Sequence, residues 1–396
     1  MSPGREFGLF LYCMKKYDFI IAGGGMAGLS LAYHLSQSPL RDRSILILDR
    51  ESKDRNDRTW CFWERAPGPF ESILFRTWNN VSFHGTTYAG QLGMGPYQYK
   101  MLRGIDFYDF VKAELAKYPN IEQKQATIER IRDTPQGAFV IAAEEPYIAD
   151  YVFDSTFSLQ LNRPENHNLL QHFKGWFITT EKPCFNPAQP EIMDFRTEQH
   201  GDCRFLYVLP FDEKTALVEF TLFNDKLLTD AEYETELRQY IDRFLDAGTY
   251  SIYDTEYGVI PMSDVPTQEN PSDHIVRIGT SGGFTKPSSG YTFQRTQRYL
   301  QCIVQNLAAT GKPHRSLPWF KSRFLLYDSI FLNVLEKHRY PADDIFTRVY
   351  TRNPGRVFTF LDEDTRFFEE LRLFSTMPKW PFIVAFFDVM RRKLFG

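Results

Sequence analysis

The sequence of 396 residues predicts an α/β fold in which a Rossmann-like domain is interrupted by an antiparallel β-sheet and followed by a C-terminal helical region. A strand, a glycine-rich turn and a helix open the folded part of the chain, and a second loop rich in glycine and serine follows residue 279. Several strand-like segments lie between these two loops. A nucleotide-binding unit that is completed late in the chain leaves room for an inserted sheet.

The first glycine-rich turn has the features of a dinucleotide-binding unit. Residues 17–22 form an apolar strand, the turn that follows fits the pattern G-x-G-x-x-G, and residues 44–49 form a second buried strand that ends in an acid. The three glycines permit the tight turn, the approach of a pyrophosphate and the close packing of helix and strand, and the acid is placed to bind ribose hydroxyls. The cofactor-binding residues predicted here are Gly23, Gly25, Gly28 and Asp49.

The late loop favours FAD over NAD as the nucleotide. In flavoproteins of the GR2 type the glycine fingerprint opens the chain, and a later segment returns to hold the flavin. Residues 275–279 form a strand that ends in glycine, and residues 280–291 form the loop that opens a helix over residues 293–309. A loop that opens a helix offers free N–H groups to an anion. Residues 152–155 are predicted to be the middle strand that returns the chain to this domain.

Glu219 is the candidate catalytic residue. It lies in the middle of the apolar strand that follows a predicted hairpin turn at residues 211–215. An apolar environment disfavours the charged form of a carboxyl group, and a neutral acid that faces an apolar pocket can protonate a hydrocarbon double bond. By the period of two, Thr221 shares the Glu219 face, whereas Val218 and Phe220 face the other way. The alternative is an amphipathic strand with Glu219 in solvent.

Two further acids are poorer candidates, and a third has two interpretations. Asp212 and Glu213 lie in the predicted hairpin turn, where solvated carboxyl groups ionise normally. Asp194 is either a second carboxylate on a facing strand or the salt-bridge partner of a nearby arginine.

Other segments have regular patterns. Residues 106–118 predict an amphipathic helix, and Thr229 with Glu232 forms a capping-box pattern that opens a helix to Ala247. Residues 137–142 and 202–223 predict strands.

Composition argues against several classes of function. The formal net charge is −4, without the basic stripe of a nucleic-acid-binding protein. The five cysteines are scattered, so we expect neither a disulfide framework nor a zinc site, and a reducing cytoplasm is favoured. No histidine pair has metal-binding spacing, and His167 and His172 are expected at the surface. No metal site is predicted, and no apolar run is long enough to cross a membrane.

The two ends of the chain have distinct compositions. Residues 1–13, which precede Met14, are expected to be a disordered extension. Residues 377–396 combine several aromatic side chains with lysines and arginines, which is typical of a helix at a membrane interface. A helix that packs on the protein's own core is the alternative.

Several segments together resemble one known family. They are residues 23–28, Thr59-Trp60 with Phe62, residues 192–195 with Gln199, residues 205–210, Val218-Glu219-Phe220-Thr221, residues 279–283 and Pro287-Ser288-Ser289-Gly290-Tyr291. Over most of the chain these segments resemble the FAD-dependent lycopene β-cyclases of carotenoid-making bacteria and plants. Two positions depart from that family: Arg58 stands where some members carry histidine, and Phe220 follows Glu219 where relatives often carry a second acid.

The resemblance implies an activity and a set of ligands. It implies a redox-neutral cyclisation that closes a β-ring at the end of lycopene or a related linear carotenoid, with Glu219 as the acid. It also implies reduced FAD, electrons from NAD(P)H, and a peripheral position at the cytoplasmic face of the plasma membrane. The late-loop residues that it assigns to flavin are Gly279, Gly283, Pro287 and Gly290.

Two other functions remain open at this point. A flavin-dependent aromatic hydroxylase shares the fingerprint and the inserted sheet, but such enzymes usually carry Gly-Asp in the late flavin strand, where this chain has Gly279-Thr280. A non-catalytic carotenoid-binding flavoprotein is the second alternative. The oligomeric state has no signature in the sequence.

These observations divide the chain into regions. Residues 14–75, 150–170 and 255–315 are assigned to the FAD-binding domain, and residues 76–149 and 171–254 to the substrate-binding sheet. Residues 316–396 are assigned to the C-terminal helical region, with membrane contact as an expectation.

Overall fold

The structure, a computed structural model, describes residues 14–156, 165–267, 269–314 and 322–395. The predicted extension at residues 1–13 lies outside the described residues. The strands are β1 (Lys15–Ala22), β2 (Ile45–Asp49), β3 (Thr59–Glu64), β4 (Arg76–Trp78), β5 (Asn80–His84), β6 (Ala89–Gly93), β7 (Gln98–Arg103), β8 (Ile121–Gln125), β9 (Ile128–Thr134), β10 (Gly137–Ala142), β11 (Glu145–Asp154), β12 (Asn168–Thr180), β13 (Glu191–Asp194), β14 (Cys203–Pro210), β15 (Thr215–Asn224), β16 (Tyr250–Ser263) and β17 (Ile275–Arg277). The α-helices are α1 (Met26–Ser36), α2 (Gly104–Leu115), α3 (Asp230–Phe244), α4 (Phe293–Thr310), α5 (Ser322–Glu336), α6 (Ala342–Arg352), α7 (Arg356–Leu361), α8 (Phe367–Phe374) and α9 (Lys379–Phe395).

The first sheet has seven strands and contains the glycine fingerprint. Its order is β8-β2-β1-β11-β10-β9, with β17 beside β11. β1 pairs in parallel with β2 and with β11, so the predicted return of the chain at residues 152–155 is confirmed. Apolar side chains of α1, α2 and α4 form one cluster with the side chains on one face of this sheet. This buried parallel centre is the reason that residues 19–22 of β1 and residues 45–48 of β2 are all apolar.

The second sheet also has seven strands, in the order β16-β12-β15-β14-β13-β5-β6. β14 and β15 form the predicted hairpin, and the turn between them lies at residues 211–214. Helix α3 covers one face of this sheet, where Val218 and Phe220 pack with Tyr233 and Leu237. Side chains from α5 to α9 join the large cluster on the other face. The sheet is therefore packed on both sides, and Glu219 faces the C-terminal helices.

A three-stranded sheet, β3-β7-β4, connects the two larger sheets. On β3, Phe62 stacks on Phe293 of α4 with ring centroids 4.4 Å apart, and Trp63 packs edge-on against Tyr291. These contacts place the Thr-Trp segment beside the late loop.

The predicted division of residues 76–149 is wrong in part. Strands β8, β9 and β10 lie in the first sheet, although the sequence assigned them to the substrate-binding sheet. β8 has the polar sequence IEQKQ and lies at the edge of the sheet, so no apolar run indicates its parallel pairing with β2. The division at residue 255 is also wrong, because β16 continues in the second sheet to Ser263.

The expectation that His167 and His172 lie at the surface is wrong. Both side chains are fully buried. His167 lies between Asp264 and Asn333, and His172 bonds to the hydroxyl of Tyr233. These partners come from distant parts of the chain, and a local sequence pattern does not indicate them.

Within the described ranges, no helix is both long enough and apolar enough to span a bilayer. Helix α9 was predicted either to lie at a membrane interface or to pack on the protein's own core, and it has features of both. Ala385 and Val389 are buried in the core, whereas Trp380 and Phe387 are largely exposed.

The capping box of α3 is confirmed and can be tested. The backbone N–H of Thr229 donates to Glu232 Oε2 at 2.7 Å, and the Glu232 N–H donates to Thr229 Oγ1 at 3.4 Å. We expect Thr229→Ala to lower the free energy of unfolding by about 1 kcal/mol, because one N-terminal N–H group loses its partner. Urea unfolding followed by circular dichroism measures this difference. Thr235→Ala, an exposed site inside the same helix, is the control and should not destabilise the protein.

Candidate active site

The fingerprint glycines form a turn that has no room for side chains at two positions. Gly23 has a φ of +98°, and a Cβ atom on Gly28 would lie 1.9 Å from the carbonyl oxygen of Gly23. The start of α1 therefore lies directly on the end of β1. A Cβ atom on Gly25 would instead meet no atom within 4 Å, and no side chain caps the helix at this residue. The described residues thus leave open space and free N–H groups where a pyrophosphate would bind.

Asp49 and the late loop lie next to this turn. Asp49 Oδ2 accepts a hydrogen bond of 2.5 Å from the N–H of Gly24. Gly279 has a φ of +63°, and a Cβ atom there would lie 2.9 Å from Cβ of Ala27 in the first turn of α1. Two segments that are far apart in sequence therefore meet at the N-terminus of one helix. This arrangement fits the diphosphate of a dinucleotide.

The remaining late-loop residues extend away from the fingerprint. Gly283 and Gly290 have φ values of +76° and +71°, and Pro287 lies between them. A Cβ atom on Gly290 would approach the side chain of Gln171 on β12 to 2.2 Å. Thus the loop runs from the nucleotide turn to the second sheet.

Glu219 is buried on β15, with 8% of its surface exposed. Its neighbours Leu217 and Phe223 belong to the cluster that faces the C-terminal helices, whereas Val218 and Phe220 face α3. The predicted alternation of β15 is confirmed. The alternative with Glu219 in solvent is wrong.

A second buried carboxyl group, Glu256 on β16, accompanies Glu219. The two side chains share a hydrogen bond, although β12 lies between their strands. Gly175 on β12 is the register partner of both residues. A Cβ atom on Gly175 would lie 3.2 Å from Cγ of Glu256 and 3.4 Å from Cβ of Glu219. The two acidic side chains therefore meet over Gly175, where a Cβ atom would also lie 2.8 Å from Cδ1 of Leu217.

The electrostatics of the pair favour the protonated form of Glu219. Burial raises its pKa well above the ordinary value, and the neighbouring charge and hydrogen bond of Glu256 raise it further. Burial also raises the pKa of Glu256, whereas its hydrogen bonds to Glu219 and Thr59 oppose that shift. Thr59 Oγ1 donates to Glu256 Oε2 at 2.8 Å, and Thr221 Oγ1 donates to Glu219 Oε1 at 2.9 Å.

The other candidate acids are engaged elsewhere. Asp212 is exposed in the hairpin turn, where its hydrogen bonds to Thr215 and to backbone N–H groups lower its pKa. Asp194 pairs with Arg196 and accepts a hydrogen bond of 2.7 Å from Tyr240 of α3. The salt-bridge interpretation of Asp194 is confirmed.

One group among the described residues has the spacing of a metal site. Possible ligand atoms of His84, Glu191 and Asp194 lie within 4.8 Å of one another. His84 Nδ1 is bonded to Glu191 Oε2 at 2.7 Å, and Asp194 is bonded to the guanidinium of Arg196. Because these atoms are already paired with each other and with a cation, we assign the group to an ion-pair network.

A cavity of about 670 Å³ lies between the second sheet and the C-terminal helices. Helices α5 to α9, strands β13 to β15 and the late loop all contribute side chains, which are mostly aromatic or aliphatic. Ile383, Phe386 and Phe387 of α9 line the cavity and are also exposed, so the cavity reaches the surface at this helix. Its size and lining fit an apolar ligand.

Two tyrosines connect the cavity with the buried acids. Tyr207 and Tyr291 line the cavity, and their hydroxyl oxygens lie 3.4 Å apart. Tyr207 is the register partner of Glu219 across the β14–β15 hairpin. Glu219 itself is not among the residues that line the cavity. It therefore lies beside the cavity wall, next to Tyr207.

Comparison with known proteins assigns the chain to a family. A family model described as "Lycopene cyclase protein" matches residues 18–386. The chain belongs to the lycopene cyclase family. The resemblance drawn from the sequence is confirmed.

The individual proteins that the chain resembles have low sequence identity to it. The lycopene beta-cyclase of Pseudescherichia vulneris is 21% identical over 384 residues, which cover 92% of this chain and 95% of that protein. The chloroplastic neoxanthin synthase of Solanum tuberosum is 23% identical over 323 residues, which cover 74% of this chain and 62% of the relative. The match thus spans less than two thirds of the plant protein.

A solved structure agrees with the predicted fold class. The geranylgeranyl bacteriochlorophyll reductase-like protein of Thermoplasma acidophilum has a TM-score of 0.65 at 13% identity, over 95% of this chain and 100% of that chain. At this identity the likeness shows the fold alone. The α/β fold with a Rossmann-like domain and an inserted antiparallel sheet is confirmed.

Sequence reasoning missed Glu256 and Gly175 in this lycopene cyclase family member. Glu256 lies in the polar stretch Tyr253-Asp254-Thr255-Glu256-Tyr257, which resembles an exposed edge strand. The other four residues of this stretch are exposed, whereas Glu256 is buried next to Glu219 and Thr59. The glycine inside β12 was the available signal, because a glycine in a strand interior often marks a close approach.

Proposed function

We propose that the protein is a lycopene β-cyclase that closes β-rings at the ends of a linear carotenoid. The observation that carries this proposal is a buried carboxyl group, Glu219, whose pKa is raised and which lies beside an apolar cavity. Protonation of an unactivated alkene requires an acid that stays protonated in a dry site. Membership of the lycopene cyclase family supports the substrate class.

The reaction begins when Glu219 transfers its proton to the terminal C1=C2 double bond, which places a cation at C1. The C5=C6 double bond attacks this cation, and the charge moves to C5. Loss of a proton from C6 completes the β-ring, so protons and electrons balance without net oxidation. In this proposal Tyr207 and Tyr291, whose hydroxyl oxygens lie 3.4 Å apart, border the path of the polyene end to Glu219.

Aromatic side chains favour the cationic stage of this reaction. Tyr207, Tyr291 and Phe205 line the inner part of the cavity. The negative faces of such rings attract a positive charge, and the attraction is stronger where water is excluded. The side chains therefore exclude water and stabilise charge at the ring-closing end of the substrate.

FAD is the proposed cofactor, with NAD(P)H as the electron donor that the family resemblance implies. The residues that would hold FAD are Gly23, Gly25, Gly28 and Asp49 in the fingerprint and Gly279, Gly283, Pro287 and Gly290 in the late loop. When bound, reduced FAD would supply negative charge beside the carbocation.

We further propose that the protein docks on the cytoplasmic face of the plasma membrane through a surface formed by α8 and α9. The largest exposed aromatic side chains on it are Phe367, Phe368, Trp380 and Phe387. Arg366, Arg372, Arg391 and Lys393 are exposed on the same two helices or at their ends. Exposed aromatics beside cations favour an interface with anionic lipids, and the mouth of the cavity opens at α9.

The two alternative functions differ in their dependence on Glu219. An aromatic hydroxylase would need reduced flavin and oxygen but no acid that protonates an alkene. A non-catalytic carotenoid-binding flavoprotein would need neither oxygen nor such an acid. The buried acid pair favours the cyclase over both.

Substitution of the proposed acid tests the activity. We expect Glu219→Gln to lower kcat for lycopene cyclisation at least about 100-fold, because the amide keeps the shape but cannot donate the proton. Pigment analysis in a lycopene-accumulating host and kinetics on purified protein measure this effect. Asp212→Asn, in the exposed turn, is the control with full activity. A Glu219→Gln variant that retains flavin and full cyclase activity would falsify the assignment.

Two glycine substitutions test the cofactor site. Gly25→Ala should weaken FAD binding about tenfold or more, because its methyl group enters the space for the pyrophosphate. It should leave the thermal stability of the flavin-free protein unchanged, since that space holds no protein atom within 4 Å. Gly28→Ala should instead lower the melting temperature, because its Cβ overlaps Gly23. Flavin absorbance of the purified protein and thermal unfolding separate the two effects. Unchanged flavin content in Gly25→Ala would contradict the proposed site.

Flotation with liposomes tests the docking surface. We expect Phe368→Ala combined with Trp380→Ala to weaken binding to anionic vesicles about tenfold or more, because two exposed aromatic side chains no longer enter the interface. Leu227→Ala removes an exposed apolar side chain away from α8 and α9 and is the control. Equal flotation of the double variant and the wild type argues against this surface.

A further inference from the structure

Glu256 has an environment that differs from that of Glu219 in one respect. It lies on β16, the edge strand of the second sheet, and its partners outside the pair are polar. Thr59 donates to Glu256 Oε2 at 2.8 Å, and the guanidinium of Arg58 donates to the backbone oxygen of the adjacent Tyr257 at 3.1 Å. A hydroxyl donor and a nearby cation both favour a carboxylate. Glu219 has Thr221 as its hydroxyl donor and no cation among its principal electrostatic neighbours.

We propose that Glu256 is a positioning residue that forms the ionised half of a carboxyl pair, keeps Glu219 protonated, and lets the pair take back the proton that the substrate loses. This proposal rests on the proposed cyclisation. This proposal explains the two positions, Arg58 and Phe220, at which the chain departs from the family pattern. Phe220 faces α3, so an acid at that position of this chain could not assist Glu219, whereas Glu256 approaches it from another strand beside Arg58.

Each acid accepts one hydroxyl hydrogen bond, Glu219 from Thr221 at 2.9 Å and Glu256 from Thr59 at 2.8 Å. The asymmetry of the pair comes from Arg58, whose positive charge acts on Glu256 and favours it as the ionised member. One proton between two buried carboxyl groups avoids the repulsion of a dianion and the loss of a hydrogen bond.

In one turnover the carboxyl pair gives one proton to the substrate and takes one proton back. The O–H bond of Glu219 breaks and a C–H bond forms on the terminal alkene, which leaves two adjacent carboxylates. Their mutual repulsion makes the pair a stronger base than either carboxylate alone. When the C6–H bond breaks, its electron pair forms the ring double bond and the proton returns to the pair. The pair begins and ends each cycle with one proton, so no external acid is consumed.

The other titratable groups near the pair do not offer the same function. Burial raises the pKa of Cys61 on β3 and of Tyr207 on β14, and it raises the pKa of Tyr291 in the late loop to about 12. These three groups are therefore neutral at physiological pH. Asp254 is exposed on β16 and Arg58 is the nearby cation. The state of Glu219 is thus set mainly by burial and by Glu256.

Infrared spectroscopy of the purified flavin-bound protein can test the pair without a substrate. The wild type should show carboxyl bands that titrate in two steps, and the upper step should be missing in Glu219→Gln. Glu256→Gln should leave a single step, shifted to lower pH by about one unit or more relative to the upper step of the wild type, because the neighbouring negative charge is gone. Asp254→Asn, on the same strand, should leave both steps in place.

A second variant tests the same proposal from the opposite direction. Thr59→Val preserves both carboxyl groups and removes the hydroxyl that stabilises the Glu256 carboxylate. The lower step should then move to higher pH, because the charged form has lost a hydrogen bond. If Glu256→Gln fails to fold with bound flavin, Thr59→Val still tests whether Glu256 is the ionised member of the pair.

The activity profile provides the functional measurement. An essential acid works in its protonated form, so cyclase activity is lost as pH rises through the pKa of that acid. Glu256→Gln lowers that pKa and should shift the alkaline limb of kcat to lower pH, with KM for lycopene unchanged. Titration steps in Glu256→Gln and Thr59→Val that match the wild type would overturn the proposal. A wild type that titrates as expected but does not cyclise lycopene would refute the proposed function and leave the carboxyl pair intact.

Discussion

Burial of two carboxyl groups side by side is the constraint on which the site depends. Glu219 and Glu256 come from strands that are separated by β12, and their side chains meet over Gly175, which has no side chain. Two buried carboxylates would repel each other strongly, so the pair must retain a proton. Thr59 and Thr221 supply one hydroxyl donor to each acid, and the charge of Arg58 near Glu256 distinguishes the two.

The surrounding architecture keeps this pair away from water and next to an apolar space. The second sheet alone would expose the Glu219 face, and helices α5 to α9 cover it and form the cavity. Buried ion pairs attach these helices to the late loop. Lys286 binds Asp328 of α5 at 2.9 Å, and Arg295 and Lys286 both bind Glu363. The nucleotide loop and the cavity wall are therefore one connected unit, so changes in one are expected to affect the other.

Local patterns predicted the elements whose physics is local. The fingerprint turn needs glycine because a Cβ at position 28 would overlap a backbone oxygen, and the capping box of α3 forms within one helical turn. The alternation on β15 placed Glu219 opposite Val218 and Phe220, as the structure has it. The errors involve contacts between distant segments: the polar edge strand β8 gained a parallel partner, and His167 was buried against Asp264.

The sequence by itself determined the nucleotide turn, the late loop and the single acid in an apolar strand, because each depends on a short run of residues with a fixed backbone geometry. Only the tertiary structure decided which residue accompanies that acid. The residues on either side of Glu256 are exposed, so the local sequence predicts an exposed position for it as well. Glu256 is buried because β12 pairs with β16 and brings β3 and β15 close to this position. Register between distant strands is a property of the whole sheet, so the partner of Glu219 could not be identified before the sheet was assembled.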